Sequence, residues 1–459
     1  MKINFLRKSQ KEIELTNGSS IAVVGGGPSG SFFSYYALDL ARRYDLEINI
    51  DIYEAKDFTC LGPTGCNNCG GIVSESLVQM LSTDGIILPS SIIRRGIYSY
   101  TLHVEQGKTV INTPKKEQRI ASVFRGSGPR NFINNDQKSF DNFLLGLCEK
   151  SGAKIILDRI TEAQRAADGI IIRTKDSVEK KYDLVVGAAG LNTKTLQLFQ
   201  SICPGYVPPA TTRAHICEFP LEPENMDKYL GNSMHVFLLN LPKVTFGALI
   251  PKGKYVTLVL LGDEISKETV ETFLAAEQVK GCFPPDLHLN EAAACKCFPF
   301  INISASRNPF DDRVVLIGDS ASSKLYKNGI GAAYITGRAA ARTVIFHGIS
   351  KSSFKKSYYP VCKNLNRDNN VGKFIFWVTR IIQKSAFLKN GLFQMVVNEQ
   401  KAEEKKRLMS SVLWDTFTGS AGYRNIFIRF LNPKLLLTLL WNIAASNLNP
   451  DKINYDGKQ

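Results

Sequence analysis

The residues best suited to chemistry fall in four short stretches. The first is Gly25-Gly26-Gly27-Pro28-Ser29-Gly30, which fits G-x-G-x-x-G and follows an apolar run at 20–24. In this pattern Gly25 permits a tight turn, Gly27 lets the backbone approach a pyrophosphate, and Gly30 lets a helix pack close to a strand. Pro28 and Ser29 complete the turn, and the helix that follows offers its N-terminal amides and dipole to the phosphates. The second is Glu54, 24 residues after Gly30, where a carboxylate can accept hydrogen bonds from a ribose hydroxyl pair. The third is GPTGCNNCGG, residues 62–71, with Cys66 and Cys69 separated by two asparagines and Cys60 just upstream. The fourth is Gly318-Asp319, followed ten residues later by Gly329-Ile330-Gly331.

These stretches need elements to hold them. Residues 20–24, a helical stretch from Ser31 to about Tyr44 and INIDIYE (48–54) make a strand, turn, helix, strand unit, the opening of a dinucleotide fold. A helix from Ser139 to Ser151, a strand at 153–158 and apolar strands at 182–190 and 313–321 continue it, and an alanine-rich helix follows Gly331. The middle of the chain alternates apolar and polar residues and turns at Gly, Pro or Lys-Gly, which predicts antiparallel strands. The expected fold is α/β. A Rossmann-type nucleotide domain is built from 18–90, 131–204 and 305–350, and an inserted antiparallel sheet domain from 91–130 and 205–304. A helical C-terminal region runs from 351 to 459.

The combination of RVVLIGDSASSKLYKNGIGAAYITGRAAA with the first glycine turn resembles the FAD-dependent oxidoreductases of the p-hydroxybenzoate hydroxylase-like fold. Within that group the chain is most similar to the geranylgeranyl reductase family, over residues 18 to 350. The resemblance implies FAD as cofactor. It assigns Gly318 and Asp319 to the ribityl and pyrophosphate region, and Gly329, Ile330 and Gly331 to backbone contacts beside the flavin ring. A helix N-terminus there can stabilise negative charge on reduced flavin. Cys69-Gly70-Gly71 matches the family's Cys-Gly-Gly element. This implies that Gly70 and Gly71 lie against the isoalloxazine and that Cys69 faces the reacting side as proton donor or substrate-shaping thiol. Two other readings of the cysteines stay open. Cys66 and Cys69 form a redox pair that exchanges electrons with the flavin, or Cys60, Cys66 and Cys69 join Cys295 or Cys297 in a metal site.

The family pattern also breaks. Where the reductases carry Tyr-x-Trp-x-Phe-Pro, this chain has Phe246, Ala248, Ile250 and Pro251, read either as an apolar substrate wall of different shape or, for Phe246 and Ile250, as plain sheet core. The family's Arg-x-x-Phe-Asp is Gln137-Lys138-Ser139-Phe140-Asp141, so the arginine is lost. Ala189 stands where many hydroxylases have Asp, which counts against an aromatic hydroxylase. Arg125 and Arg130 lie in a glycine-rich loop that reads either as closing over flavin or an anionic substrate group or as a solvated turn. No histidine stands in a catalytic-looking context, and no metal is expected among them. No second G-x-G-x-x-G appears, leaving NAD(P)H, ferredoxin or quinol as electron donor, with an electron-donor protein as one partner.

The chain has 459 residues, ten cysteines and a formal net charge of +15. From Lys351 onward 18 Lys and Arg stand against 7 Asp and Glu. There Phe374, Trp377, Val378 and Ile381 share one helical face, and YRNIFIRFLNPKLLLTLLWNIAAS mixes aromatic, aliphatic and basic residues. This pattern suits a membrane interface, with core packing or a dimer face as the other readings; it does not suit nucleic acid. No apolar run reaches the ~20 residues a span requires. With no secretory h-region at the N-terminus, the expected location is cytoplasmic, peripheral at the inner face of a membrane. The expected function is reduction or formation of a carbon–carbon double bond in an isoprenoid or other lipid-like molecule. The alternatives are a flavin monooxygenase or halogenase, and a membrane-docked electron carrier.

Overall fold

A computed structural model describes residues 13–66, 69–113, 120–130 and 138–448. Asn67, Asn68, Gln137 and the distal part of the glycine-rich loop lie outside the described residues.

The central strand is Ser19–Val24, an apolar run buried on both faces: Ile21 and Val23 pack under helices, and Ala22 and Val24 against Ile160, Ile170 and Ile172 of a small three-stranded sheet and against Leu196 and Phe199. Ile48–Tyr53 and Leu184–Gly187 pair with it in parallel on either side. The sheet extends to Lys154–Ile156 beyond the first and to Val314–Leu316 and Phe310–Asp311 beyond the second; only this last pair is antiparallel. Helix Pro28–Arg43 packs on one face, against helix Gly329–Phe346. Val24 stands in register with both Tyr53 and Gly187, so three strand C-termini share one rim. Ligands of open parallel sheets bind at such a rim.

A seven-stranded sheet forms a second layer. Its order is Cys295–Cys297, His215–Pro220, Tyr255–Gly262, Val244–Lys252, Ser233–Phe237, Ser99–Val104, Gly107–Asn112. The expectation of an antiparallel sheet fails at one join, where Ser233–Phe237 and Ser99–Val104 run parallel. They come from chain segments separated by a passage through the six-stranded sheet layer, so no hairpin dictates their direction.

After helix Tyr359–Lys384, helices Ala386–Gln400, Leu408–Thr418, Tyr423–Phe430 and Pro433–Leu448 cover one face of this sheet. Phe376, Phe393, Val396, Trp414, Tyr423 and Ile426 share one core with Tyr100, Leu102, Val236 and Ile250. The aromatic tail therefore divides. Phe376 packs inward, whereas Phe374, Trp377 and Ile381 face out, as do Ile428, Leu431, Leu437, Leu440 and Trp441. Among the described residues no single helix is long and apolar enough to cross a membrane; Tyr423–Phe430 and Pro433–Leu448 meet at a 67° bend.

Candidate functional site

The site begins where Ser19–Val24 turns into helix Pro28–Arg43. A Cβ on Gly25 would lie 2.3 Å from the Ala188 carbonyl oxygen, and one on Gly30 would lie 1.9 Å from the oxygen of Gly25. Both positions are closed to any side chain, and the backbone is left bare as a phosphate cradle requires. Glu54 braces the turn: one carboxylate oxygen accepts from the Gly26 amide at 2.8 Å, the other from the Lys56 amide at 2.9 Å. Burial raises the Glu54 pKa, and the two amides oppose that rise. Each oxygen keeps acceptor capacity for a further donor.

Arg125 stands over the turn, its Nη2 3.2 Å from where a Gly27 Cβ would be. It grips Asp141 with two donors, Nε to Oδ1 at 3.0 Å and Nη2 to Oδ2 at 2.7 Å. Burial alone would lower the Arg125 pKa, but Asp141 overrides it and holds the guanidinium charged, with smaller support from Cys69 and Asp319. The arginine missing from the Arg-x-x-Phe-Asp element is thus matched by one 16 residues before Asp141, on a neighbouring loop.

One cavity of about 670 Å³ runs from this turn to the seven-stranded sheet. Gly25, Gly27, Pro28, Ser29, Glu54, Cys69, Gly70, Gly71, Asp319, Gly329 and Ile330 line it, as do Phe246, Ala248 and Ile250. Three sequence-predicted residues stand behind its wall. Gly30 packs under Gly25, and Gly318 abuts Ser29. Gly331 gives its amide to the Asn328 side chain at 3.0 Å, which leaves the Gly329 and Ile330 amides as those without an intrahelical acceptor. Cys69 accepts the Gly71 amide on its sulfur at 3.3 Å, and a Cβ on Gly70 would meet Val259 and Ile250 at 3.0 and 3.4 Å. The cysteine loop and the apolar wall are therefore in contact.

All ten cysteines are free thiols. Burial raises the pKa of Cys295 and Cys297, and neighbouring Cys66 adds to the rise in both. The three approach one another across the loop, yet among the described residues no cysteine cluster there brings its ligand atoms within metal-binding distance.

Of the cavity residues that sequence reasoning missed, two lysines and two residues of the C-terminal helices matter most. Lys324 and Lys327 line the cavity just before the Gly-Ile-Gly turn. Burial lowers both pKa values, that of Lys327 to about 7, with Lys324 adding to the effect. Lys327 sits over the rings of Tyr423 and Phe376, at 5.1 and 5.7 Å. Phe417 and Thr418 line one side of the cavity from the C-terminal helices, held there because the Gly419 carbonyl accepts from Asn328 at 2.9 Å. Only the tertiary structure brings these last two to the site.

No protein-family model and no curated protein matches the chain. Solved structures do match in fold. A geranylgeranyl bacteriochlorophyll reductase-like protein from Thermoplasma acidophilum is 14% identical, with 95% of this chain and 99% of that chain covered and a TM-score of 0.58. A flavoprotein/dehydrogenase from Cytophaga hutchinsonii is 13% identical, with 94% and 100% covered and a TM-score of 0.57. The halogenase PltM is 10% identical, with 95% and 92% covered and a TM-score of 0.58. The chain has the fold that these proteins share.

Proposed function

We propose that the protein is an FAD-dependent oxidoreductase that reduces, or forms, a carbon–carbon double bond in an isoprenoid or other lipid-like substrate. The observation that carries this reading is the continuity of one cavity from the glycine turn and Glu54 to an apolar wall of Met234, Phe246, Ala248, Ile250, Val259 and Leu261. The bare turn, the braced carboxylate and the fixed cation of Arg125 suit a pyrophosphate and a ribose. FAD, when bound, supplies hydride transfer to or from carbon.

The chain's own residues do the rest. The Gly25–Gly30 turn and the N-terminus of helix Pro28–Arg43 hold the pyrophosphate, and Arg125 adds charge to it. Glu54 accepts the ribose hydroxyls, and Asp319 those of the ribityl chain. The amides of Gly329 and Ile330, with Lys324 and Lys327, stabilise negative charge at the ring end. Cys69 holds the proton exchanged with the substrate carbon. The electron donor falls among NAD(P)H, ferredoxin and quinol. The outward Trp377, Leu437, Leu440 and Trp441, on a basic tail, suit docking at an anionic membrane surface, from which a lipid substrate would enter.

The absorption spectrum and metal content of freshly purified protein test the core of this reading. A flavin double band is expected; colourless protein from flavin-replete cells overturns it. The second reading, a monooxygenase or halogenase, draws on the fold shared with PltM. It requires oxygen consumption that depends on substrate, which a double-bond reductase does not show.

A further inference from the structure

The seven-stranded sheet carries a second group of ligating side chains, on the face turned away from the cavity. Side chains alternate along a strand. Leu102 and Val236 face the core under the C-terminal helices, while Phe237 faces the opposite core, beneath the helices at 267–280. His103 pairs across the parallel join with Phe237, and His235 lies two residues before it, so both imidazoles share the Phe237 side. Cys282 reaches them from the turn after helix Glu277–Lys280.

His103 Nε2 lies 2.9 Å from His235 Nδ1. The Cys282 sulfur lies 3.3 Å from His235 Nδ1 and 3.9 Å from His103 Nε2. All three residues are buried. On its far side His235 Nε2 faces the Leu230 carbonyl oxygen at 3.3 Å, placed to donate to it. A histidine that ligates a metal usually spends its other nitrogen this way, which turns the Nδ1 lone pair toward the group. Burial lowers both histidine pKa values, His235 to about 4, so the rings are neutral and able to ligate.

We propose that His103, His235 and Cys282 form a closed three-ligand site for one monovalent copper ion. A metal ~2.0–2.1 Å from each nitrogen and ~2.3 Å from sulfur separates its ligand atoms by roughly 3.3–3.8 Å. The two sulfur separations bracket that range, and only the imidazoles must part slightly. Among the described residues no fourth His, Cys, Asp or Glu joins the group, and a thiolate with two imidazoles suits Cu⁺ as a soft cation. Charge points the same way. Cu⁺ with one thiolate is neutral, whereas Zn²⁺ would leave a net positive charge in the apolar layer of Phe237, Phe273, Val279 and Phe283. Binding replaces the Cys282 S–H bond with a Cu–S bond and releases that proton to solvent, with no change of oxidation state. None of the three residues lines the cavity, so the ion is structural. It ties together the two chain segments that form the parallel join.

The test is an anaerobic titration of the purified full chain with Cu⁺ buffered by bicinchoninate. The expected result is uptake of one equivalent, near-ultraviolet thiolate-to-copper absorption, release of one proton per ion and a raised unfolding midpoint. Cys282→Ser and His235→Gln should lose this uptake while keeping the wild-type circular dichroism. If the wild type leaves all copper with the chelator, or uptake survives Cys282→Ser, the proposal falls. One equivalent of Zn²⁺ taken up in place of copper overturns the charge argument and with it the assignment to copper. Should the variants fail to fold, the wild-type titration decides alone.

Discussion

Lys327→Met should stabilise the protein, and more at neutral than at alkaline pH. Burial beside Lys324 lowers the Lys327 pKa from the ordinary 10.5 to about 7. Between those two values the unfolded chain holds a proton that the folded lysine has released, so this group makes stability rise with pH through that window. Below about pH 7 its full cost is present, and above about 10.5 none of it remains. At ~1.4 kcal/mol per pH unit the full cost is about 5 kcal/mol. Because the side chain lines a cavity rather than solid core, half of that is the better figure. Removing the ammonium should therefore gain about 2 kcal/mol at pH 7 and well under 1 kcal/mol at pH 9.5. The assay is urea unfolding of flavin-stripped wild type and variant at both pH values. Groups common to the two proteins cancel in each difference. Equal gains at the two pH values, or a loss at pH 7, would refute the reasoning. With flavin bound the gain should shrink, because the ammonium then has negative charge to neutralise.

Gly30→Ala forces a methyl group onto the Gly25 carbonyl oxygen; overpacking costs about 1–3 kcal/mol, so flavin content, read as the 450 to 280 nm absorbance ratio, should fall sharply. Cys69→Ala should keep its flavin and slow turnover by about 10², while Cys66→Ser stays near wild type. Loss of activity in Cys66→Ser, with thiol titration showing that the pair cycles, would favour the electron-carrier alternative. Trp441→Glu, at a highly exposed position, should leave stability within about 0.5 kcal/mol and weaken cosedimentation with anionic vesicles; unchanged sedimentation would remove that residue from the membrane contact.

What could be read in the sequence was local. The glycine turn, Glu54, Gly318-Asp319 and the Gly-Ile-Gly turn are short backbone devices whose residue types follow from conformations each stretch must adopt by itself. Three of the Rossmann strands were visible for the same reason, as apolar runs ending in glycine. The partner of Asp141 was not visible, because Arg125 reaches it across a loop and no spacing rule links them. Lys324 and Lys327 were in plain view beside a recognised motif, yet a lysine becomes notable only when its burial is known. Phe417 and Thr418 lie in a segment whose composition spoke of surfaces, and the structure turns part of that segment inward. His103, His235 and Cys282 are spread over almost 180 residues, and only the parallel join and one turn bring them together.

The wall supplied by Phe417 and Thr418 has a consequence for the order of events during synthesis. The glycine turn is made within the first thirty residues and the opposite wall only after residue 416. A chain emerging from the ribosome folds its early parts first, so the cradle exists while one side of the cavity still stands open. A bulky cofactor would enter through that gap, and the late helices would then seal it in, latched by the Asn328 amide on the Gly419 carbonyl. Loading would be a step in the birth of the protein rather than an exchange in its working life. Adding flavin to finished apoprotein should accordingly be slow, and partial unfolding of the last helices should speed it.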